Sequence, residues 1–244
     1  MDSVQIWEIN TATVSQPCSY RLRRCLSLEE QHRLDRFKSL SSQRNFLVGR
    51  GCLRHLLSHR LGRSPASLEF TYGPQGKPLL KPQTGVAAPH FNLSHSGDRL
   101  LIVISPYPVG IDVEQIRPLA NLQGLCQRCL TPREQRTLLS LPQSQANQVF
   151  FYFWTGKEAY LKATGQGLTL AMTEVELAPE TELGAAYPIP LSVLGDLGRD
   201  WLLYQWRLRS DHVAALALQP EIMAMRPELV LRFSPISAVL AMPD

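Results

Sequence analysis

Two periodicities organise this chain. Val4, Ile6 and Ile9 alternate with polar neighbours around Trp7, the two-residue period of a strand with one buried face. Ser27 and Glu30 then form a capping box: the serine oxygen can accept the free amide three residues on while the glutamate reaches back, predicting a helix over about residues 28–37. Over residues 42–61 the positions of Phe46, Gly49, Leu53, Leu56, Leu57 and Leu61 switch to helical spacing and stop at Gly62, a helix-ending residue. Residues 68–72 favour a strand, and Gly73-Pro-Gln-Gly76 a turn.

Residues 91–94 and 100–105 read as two strands around a polar turn at Ser96-Gly97-Asp98. Pro106 and Pro108 interrupt, and residues 109–113 form a short apolar run of the kind found in buried strands. Thr131-Pro-Arg-Glu134 is a second capping signal, with proline at the first helical position, and starts a helix reaching about Leu141. A further helix over residues 144–163 ends in Gly165-Gln-Gly167, and strand character follows at 174–178, 201–208 and 213–218 before a weakly patterned tail. Strands and helices in each half connect in an antiparallel style rather than as βαβ units, which makes the fold class α+β. Neither G-x-G-x-x-G nor G-x-x-x-x-G-K-[ST] occurs, so a glycine-rich nucleotide cradle is not expected.

With 244 residues, 44% hydrophobic and 19% charged, the chain is long enough to bury a large core and too apolar for general disorder. No uninterrupted apolar run approaches the ~20 residues that span a membrane, and Met1-Asp2-Ser3 lacks the features of a signal peptide, so a cytoplasmic protein is expected. Five cysteines (Cys18, Cys25, Cys52, Cys126 and Cys129) are an odd, scattered set and argue for thiols. Cys126-x-x-Cys129 has no second pair to complete a zinc site and reads as two half-buried helical thiols. The net charge of +4 hides a contrast: from Tyr20 to Arg63, 11 basic residues face Glu29, Glu30 and Asp35, a local charge of +8. Only five cations are lysines (Lys38, Lys77, Lys81, Lys157 and Lys162), and three of them fall inside motifs.

Asp112-Val-Glu114 closes the apolar run at 109–113, and strand alternation turns both carboxylates to one face. Alone, such a pair is most simply solvated; together with a third carboxylate it calls for a hard cation such as Mg2+. Trp154, Glu158 and Lys162 share a helix face at four-residue spacing beside the aromatic run Phe150, Phe151, Tyr152 and Phe153, so Glu158 is that third carboxylate rather than half of a surface ion pair. In Phe91-Asn-Leu-Ser94-His95-Ser96, Ser94 and His95 are neighbours on a strand and point to opposite faces, which disfavours a hydrolytic dyad and favours ligand contact. Gly76-Lys77-Pro78 presents an ammonium on a constrained turn. A nucleic-acid binder using the +8 segment is the competing class, but that segment interleaves few aromatics for base stacking.

Gly76-Lys77-Pro78, Phe91 to Ser96, Gly110-Ile-Asp-Val-Glu114 and Phe151-x-x-Trp154-x-x-Lys157-Glu158-Ala-x-x-Lys162-x-x-Gly165-x-Gly167-Leu168, in this order and spacing, resemble the 4′-phosphopantetheinyl transferases of the long, surfactin-synthetase-activating type, the cyanobacterial members above all. The resemblance implies a pseudo-dimer of two similar α+β halves, residues 1–108 and 109–244, each with a small mainly antiparallel sheet packed on helices. It implies coenzyme A as co-substrate and Mg2+, with Mn2+ as the alternative, in the cleft between them. Asp112, Glu114 and Glu158 would hold the metal, and Glu158, Lys162 and Asp112 would serve the reaction. Ser94, His95, Gly76, Lys77, Pro78 and Lys157 would contact the cofactor, and Arg33, Arg36 and Arg44 would meet its 3′-phosphate. The family's usual arginine position falls on Asn45, and Cys129-Leu130 stands where many members carry two phenylalanines. The implied partners are an apo acyl carrier protein and the carrier domains of polyketide or nonribosomal peptide synthases, with no nucleic acid and no membrane, for a monomeric enzyme.

Overall fold

The computed structural model describes residues 3–82, 88–167, 171–178, 189–194, 201–219, 229–233 and 236–240. Strand β1 (Val4–Asn10) leads into helix α1 (Gln16–Cys25), where the Ser15 side chain accepts the Cys18 amide. Helix α2 (Leu28–Asp35) carries the expected capping box, with both reciprocal bonds made between Ser27 and Glu30. Helix α3 (Leu40–Leu61) begins ahead of Ser42 because Ser39 caps it, and it ends at Gly62 with φ 63°, a left-handed turn that glycine adopts without strain. The hairpin β2 (Phe70–Tyr72) and β3 (Pro78–Leu80) follows, then β4 (His90–Ser96), β5 (Arg99–Ser105) and β6 (Val109–Gln115).

Helices α4 (Leu122–Cys129), α5 (Pro132–Leu139) and α6 (Gln143–Thr164) come next, α5 with its own capping box between Thr131 and Glu134. Strands β7 (Glu176–Ala178), β8 (Ile189–Leu194), β9 (Trp201–Leu208), β10 (His212–Leu218) and β11 (Leu229–Phe233) and helix α7 (Ile236–Leu240) complete the described chain.

Besides the two-stranded β2-β3 hairpin, the described residues form two larger sheets, ordered β11-β1-β5-β4 and β6-β10-β9-β8-β7. All pairings within them are antiparallel except β1 with β11, where Val4 stands opposite Leu229. Trp7, Ile9, Leu100, Ile102 and Ile104 face α3 and α7, while Val213, Ala215 and Ala217 face the aromatic side of α6. The alternate residues, Val4, Ile6, Leu101 and Val103 on one sheet and Ile111, Val113, Leu216 and Leu218 on the other, meet in a third cluster between the sheets. Burial on both faces explains why residues 100–104 and 213–218 are continuously apolar instead of alternating. Each half thus has one 22-residue helix, ended by a left-handed glycine, against a mainly antiparallel sheet, the pseudo-dimeric α+β arrangement.

The second sheet opens at Val109, where the second half was expected to begin. The tail departs from that division: β11 extends the first sheet and α7 packs in the α3 core, so residues 229–233 and 236–240 belong with the N-terminal half. Among the described residues no helix is long and apolar enough to cross a membrane.

Candidate active site at the seam between the sheets

Strands β4 and β6 belong to different sheets and are joined by side chains. Asn92 Oδ1 accepts the Ile111 amide at 3.0 Å, Ser94 Oγ donates to Asp112 Oδ1 at 2.6 Å, and Ser96 Oγ donates to Glu114 Oε2 at 2.8 Å while accepting the Gln115 amide at 3.1 Å. The two-residue period of β4 puts Asn92, Ser94 and Ser96 on this seam and turns His95 to the other face, as the alternation required.

Asp112 is buried at 3% exposure. Its Oδ1 takes the Ser94 hydroxyl and, at 2.5 Å, the Lys162 ammonium; its Oδ2 is buried with no hydrogen-bond partner. Glu158 lies one turn before Lys162 on α6, the face the spacing predicted. Burial pushes the Glu158 carboxyl above the usual glutamate range, Lys162 pulls it back, and the charges of Asp112 and Glu114 push it further up. Burial also raises Glu114, against the Ser96 hydrogen bond and with the charge of Asp112.

Among the described residues no three His, Cys, Asp or Glu side chains are gathered tightly enough to enclose a metal ion. The donor set nevertheless fits one. Asp112 offers a buried carboxylate oxygen without a donor, its other oxygen being held by Lys162, and the Glu114 and Glu158 carboxyls, both raised by burial and by the Asp112 charge, add further hard oxygen ligands.

Beside the seam lies a cavity of about 440 Å3 lined by Arg33 of α2, Asn45 and Arg50 of α3, Gly76 and Pro78 of the hairpin, and His95 of β4. Arg33 stands with its guanidinium 5.1 Å from the Phe46 ring centre. Arg36 and Arg44 are exposed and are not among the lining residues, whereas Arg50, which the sequence pattern did not single out, is. Its side chain, 10% exposed, bonds Glu30 at 3.2 Å, donates to the Tyr72 hydroxyl at 3.2 Å and stacks 4.8 Å over Phe70. The signal that could have found it is the Phe70-Thr-Tyr72 strand, a pair of rings able to seat a guanidinium. His95 is held below the ordinary imidazole range, first by burial and then by Lys162.

Two lysines expected at the cofactor are engaged elsewhere. Lys157 has 0% exposure; its ammonium pairs with Glu134 at 2.5 Å and donates to the carbonyls of Cys129 and Met172 at 2.9 Å each, on the side of α6 that faces α4 and α5. Lys77 turns away from the cavity that its neighbours Gly76 and Pro78 line, and its ammonium reaches the end of α6. Leu168, the last residue of the fourth motif, lies outside the described residues. Within the +8 segment Arg23 pairs with Asp35, and Arg50 and Arg54 with Glu30, while Arg24, Arg36, Lys38 and Arg44 are exposed.

Asp112, Glu114, Glu158 and Lys162 thus stand at the seam of two α+β halves, with a cavity lined by Arg33 and Arg50 beside them. Residues 108–217 match the 4′-phosphopantetheinyl transferase superfamily and residues 15–106 match the 4′-phosphopantetheinyl transferase N-terminal family. The 4′-phosphopantetheinyl transferase HetI of Nostoc sp. is 40% identical over 180 residues, covering 72% of this chain and 74% of that protein. A Synechocystis sp. protein described as putative 4′-phosphopantetheinyl transferase slr0495 is 35% identical over 212 residues, 86% of this chain and 80% of its own. A crystal structure of a holo-(acyl-carrier-protein) synthase from Bacillus anthracis in complex with CoA (3′,5′-ADP) covers 46% of this chain and 95% of its own, at 18% identity and a TM-score of 0.38. The chain belongs to the 4′-phosphopantetheinyl transferase family.

Proposed function

We propose that this chain transfers the 4′-phosphopantetheine arm of coenzyme A to a serine hydroxyl of an apo carrier protein and releases adenosine 3′,5′-bisphosphate. The observation that carries the reading is the unpartnered Oδ2 of Asp112, set with Glu114, Glu158 and Lys162 at the seam. Asp112, Glu114 and Glu158 would hold Mg2+, with Mn2+ the alternative. When bound, the ion supplies positive charge to the pyrophosphate oxygens as the leaving phosphate gains charge.

The chain's own groups supply the rest. Arg33 and Arg50 offer cations to the nucleotide phosphates from the cavity wall, His95 donates to them from β4, and the backbone at Gly76 and Pro78 lies along the base. The carrier serine Oγ forms a bond to phosphorus as the bond from phosphorus to the bisphosphate oxygen breaks, and the serine proton passes to a carboxylate Oε of Glu158. Lys162, already on Asp112 Oδ1, stands where it can follow developing negative charge. Carrier proteins of fatty-acid, polyketide or nonribosomal-peptide synthesis are the partner class.

The test is to incubate the protein with coenzyme A, Mg2+ and a panel of apo carrier proteins and to weigh the carriers. A gain of one phosphopantetheine on at least one carrier is expected, lost in Asp112→Ala; carriers unchanged in mass across the whole panel overturn the reading.

A further inference from the structure

Lys77 comes from the hairpin of the N-terminal half, and its ammonium ends on three carbonyl oxygens of the C-terminal half: Lys162 at 2.5 Å, Ala163 at 3.3 Å and Val109 at 3.2 Å. The first two belong to the last turn of α6. An α-helix leaves its final four carbonyls without internal partners, and that end carries the negative pole of the helix dipole. In α6 the Leu161 carbonyl is taken by the amide of the terminating Gly165 at 3.0 Å, and Lys77 takes the next two. Burial alone pushes this ammonium down to about 8, so a bare lysine would be poorly placed here; the three acceptors are what make the position tenable.

The third carbonyl gives the contact its meaning. Val109 opens β6, the strand that carries Asp112 and Glu114, whereas α6 carries Glu158 and Lys162. At Gly110 the strand and the helix touch backbone to backbone: a Cβ there would stand 2.1 Å from the Ala159 carbonyl and 2.3 Å from the Ala163 amide. Lys77 bonds both elements beside that contact. We propose that Lys77 is a positioning residue, which clamps the end of α6 to the start of β6 and so sets the spacing between the Asp112 and Glu114 carboxylates and the Glu158 and Lys162 pair. It acts through α6 rather than by touching the nucleotide, and three divergent ammonium donors suit three carbonyls better than the planar fork of an arginine.

The proposal rests on the transferase reading, and the experiment separates the two. In the full chain, Lys77→Met is expected to lower kcat for carrier modification by about tenfold or more, the scale of a small misplacement of reacting groups. The dissociation constant for adenosine 3′,5′-bisphosphate, measured by calorimetry, is expected to stay within about twofold, and amide exchange over residues 159–165 to accelerate while that of β1 and β5 does not. Lys77→Arg keeps the charge and serves if the methionine variant does not fold: turnover below wild type with native bisphosphate affinity is expected. Wild-type turnover in Lys77→Arg, unchanged exchange at the end of α6, or a loss of bisphosphate affinity as large as the loss of kcat overturns the proposal. A wild-type protein that modifies no carrier defeats the transferase reading, and the exchange measurement still tests the clamp.

Discussion

Lys157 and Lys162 stand five residues apart on α6 and do opposite things. Lys162 leans on Asp112 at the seam, whereas Lys157 is sealed in with Glu134, whose carboxylate also accepts the amides of Thr131 at 2.8 Å and Leu177 at 2.9 Å. Removing one partner of such a buried pair leaves the other charge without compensation, at a cost of about 3–5 kcal/mol. Lys157→Met is therefore expected to lower stability by that amount in denaturant melts, while adenosine 3′,5′-bisphosphate affinity of the folded protein, followed by calorimetry, stays as in wild type. The residue type and spacing made all of Asp112, Glu114, Glu158 and Lys162 legible, because a four-residue helical period and a two-residue strand period fix which side chains share a face. They could not separate Lys157 from them, since what decides its role is Glu134 on another helix. Arg50 was hidden for the converse reason: it is one arginine among many, distinguished only by Phe70, Tyr72 and Glu30, which the fold brings to it.

Among the elements, those with their own start and stop signals were readable: α2 and α5 through capping boxes, α3 and α6 through terminal glycines. Helix α1, strand β11 and helix α7 were not, because their support is tertiary. The N-terminal helix is held by burying Leu22 and Cys25 and by Arg21, which donates to the Leu240 carbonyl at 2.6 Å; β11 exists as a strand through its ladder to β1. The close approach of β6 to α6 is legible only as a glycine without a turn around it. Gly110→Ala would drive a methyl group into the α6 backbone, where no flexible side chain can yield. A loss of about 3 kcal/mol or more is expected from overpacking, measured by thermal melts, with transfer activity falling further than stability alone explains because the same contact spaces the carboxylates.

At the scale of the whole molecule the halves are held by an apolar layer between the sheets, by the side-chain bridges of β4 and β6, by Lys77 on the end of α6 and by the return of the tail to β1. Ile236, Val239 and Leu240 of α7 are buried in the α3 core. Ending the chain after residue 228 should expose that core and the β1 edge together, lowering stability by about 4 kcal/mol or more from the lost apolar burial, read as a lower melting temperature in a thermal scan. The residues themselves hold no sign that the tail returns to the first sheet, since parallel pairing at a sheet edge leaves no local pattern. That return changes what a break in the backbone would mean. A single cut among residues 106–108 would divide the polypeptide into two pieces, but the second would keep a strand laid in the sheet of the first and a helix sunk in its core. Fragments produced there are expected to stay interlocked and to co-elute in size-exclusion chromatography without denaturant.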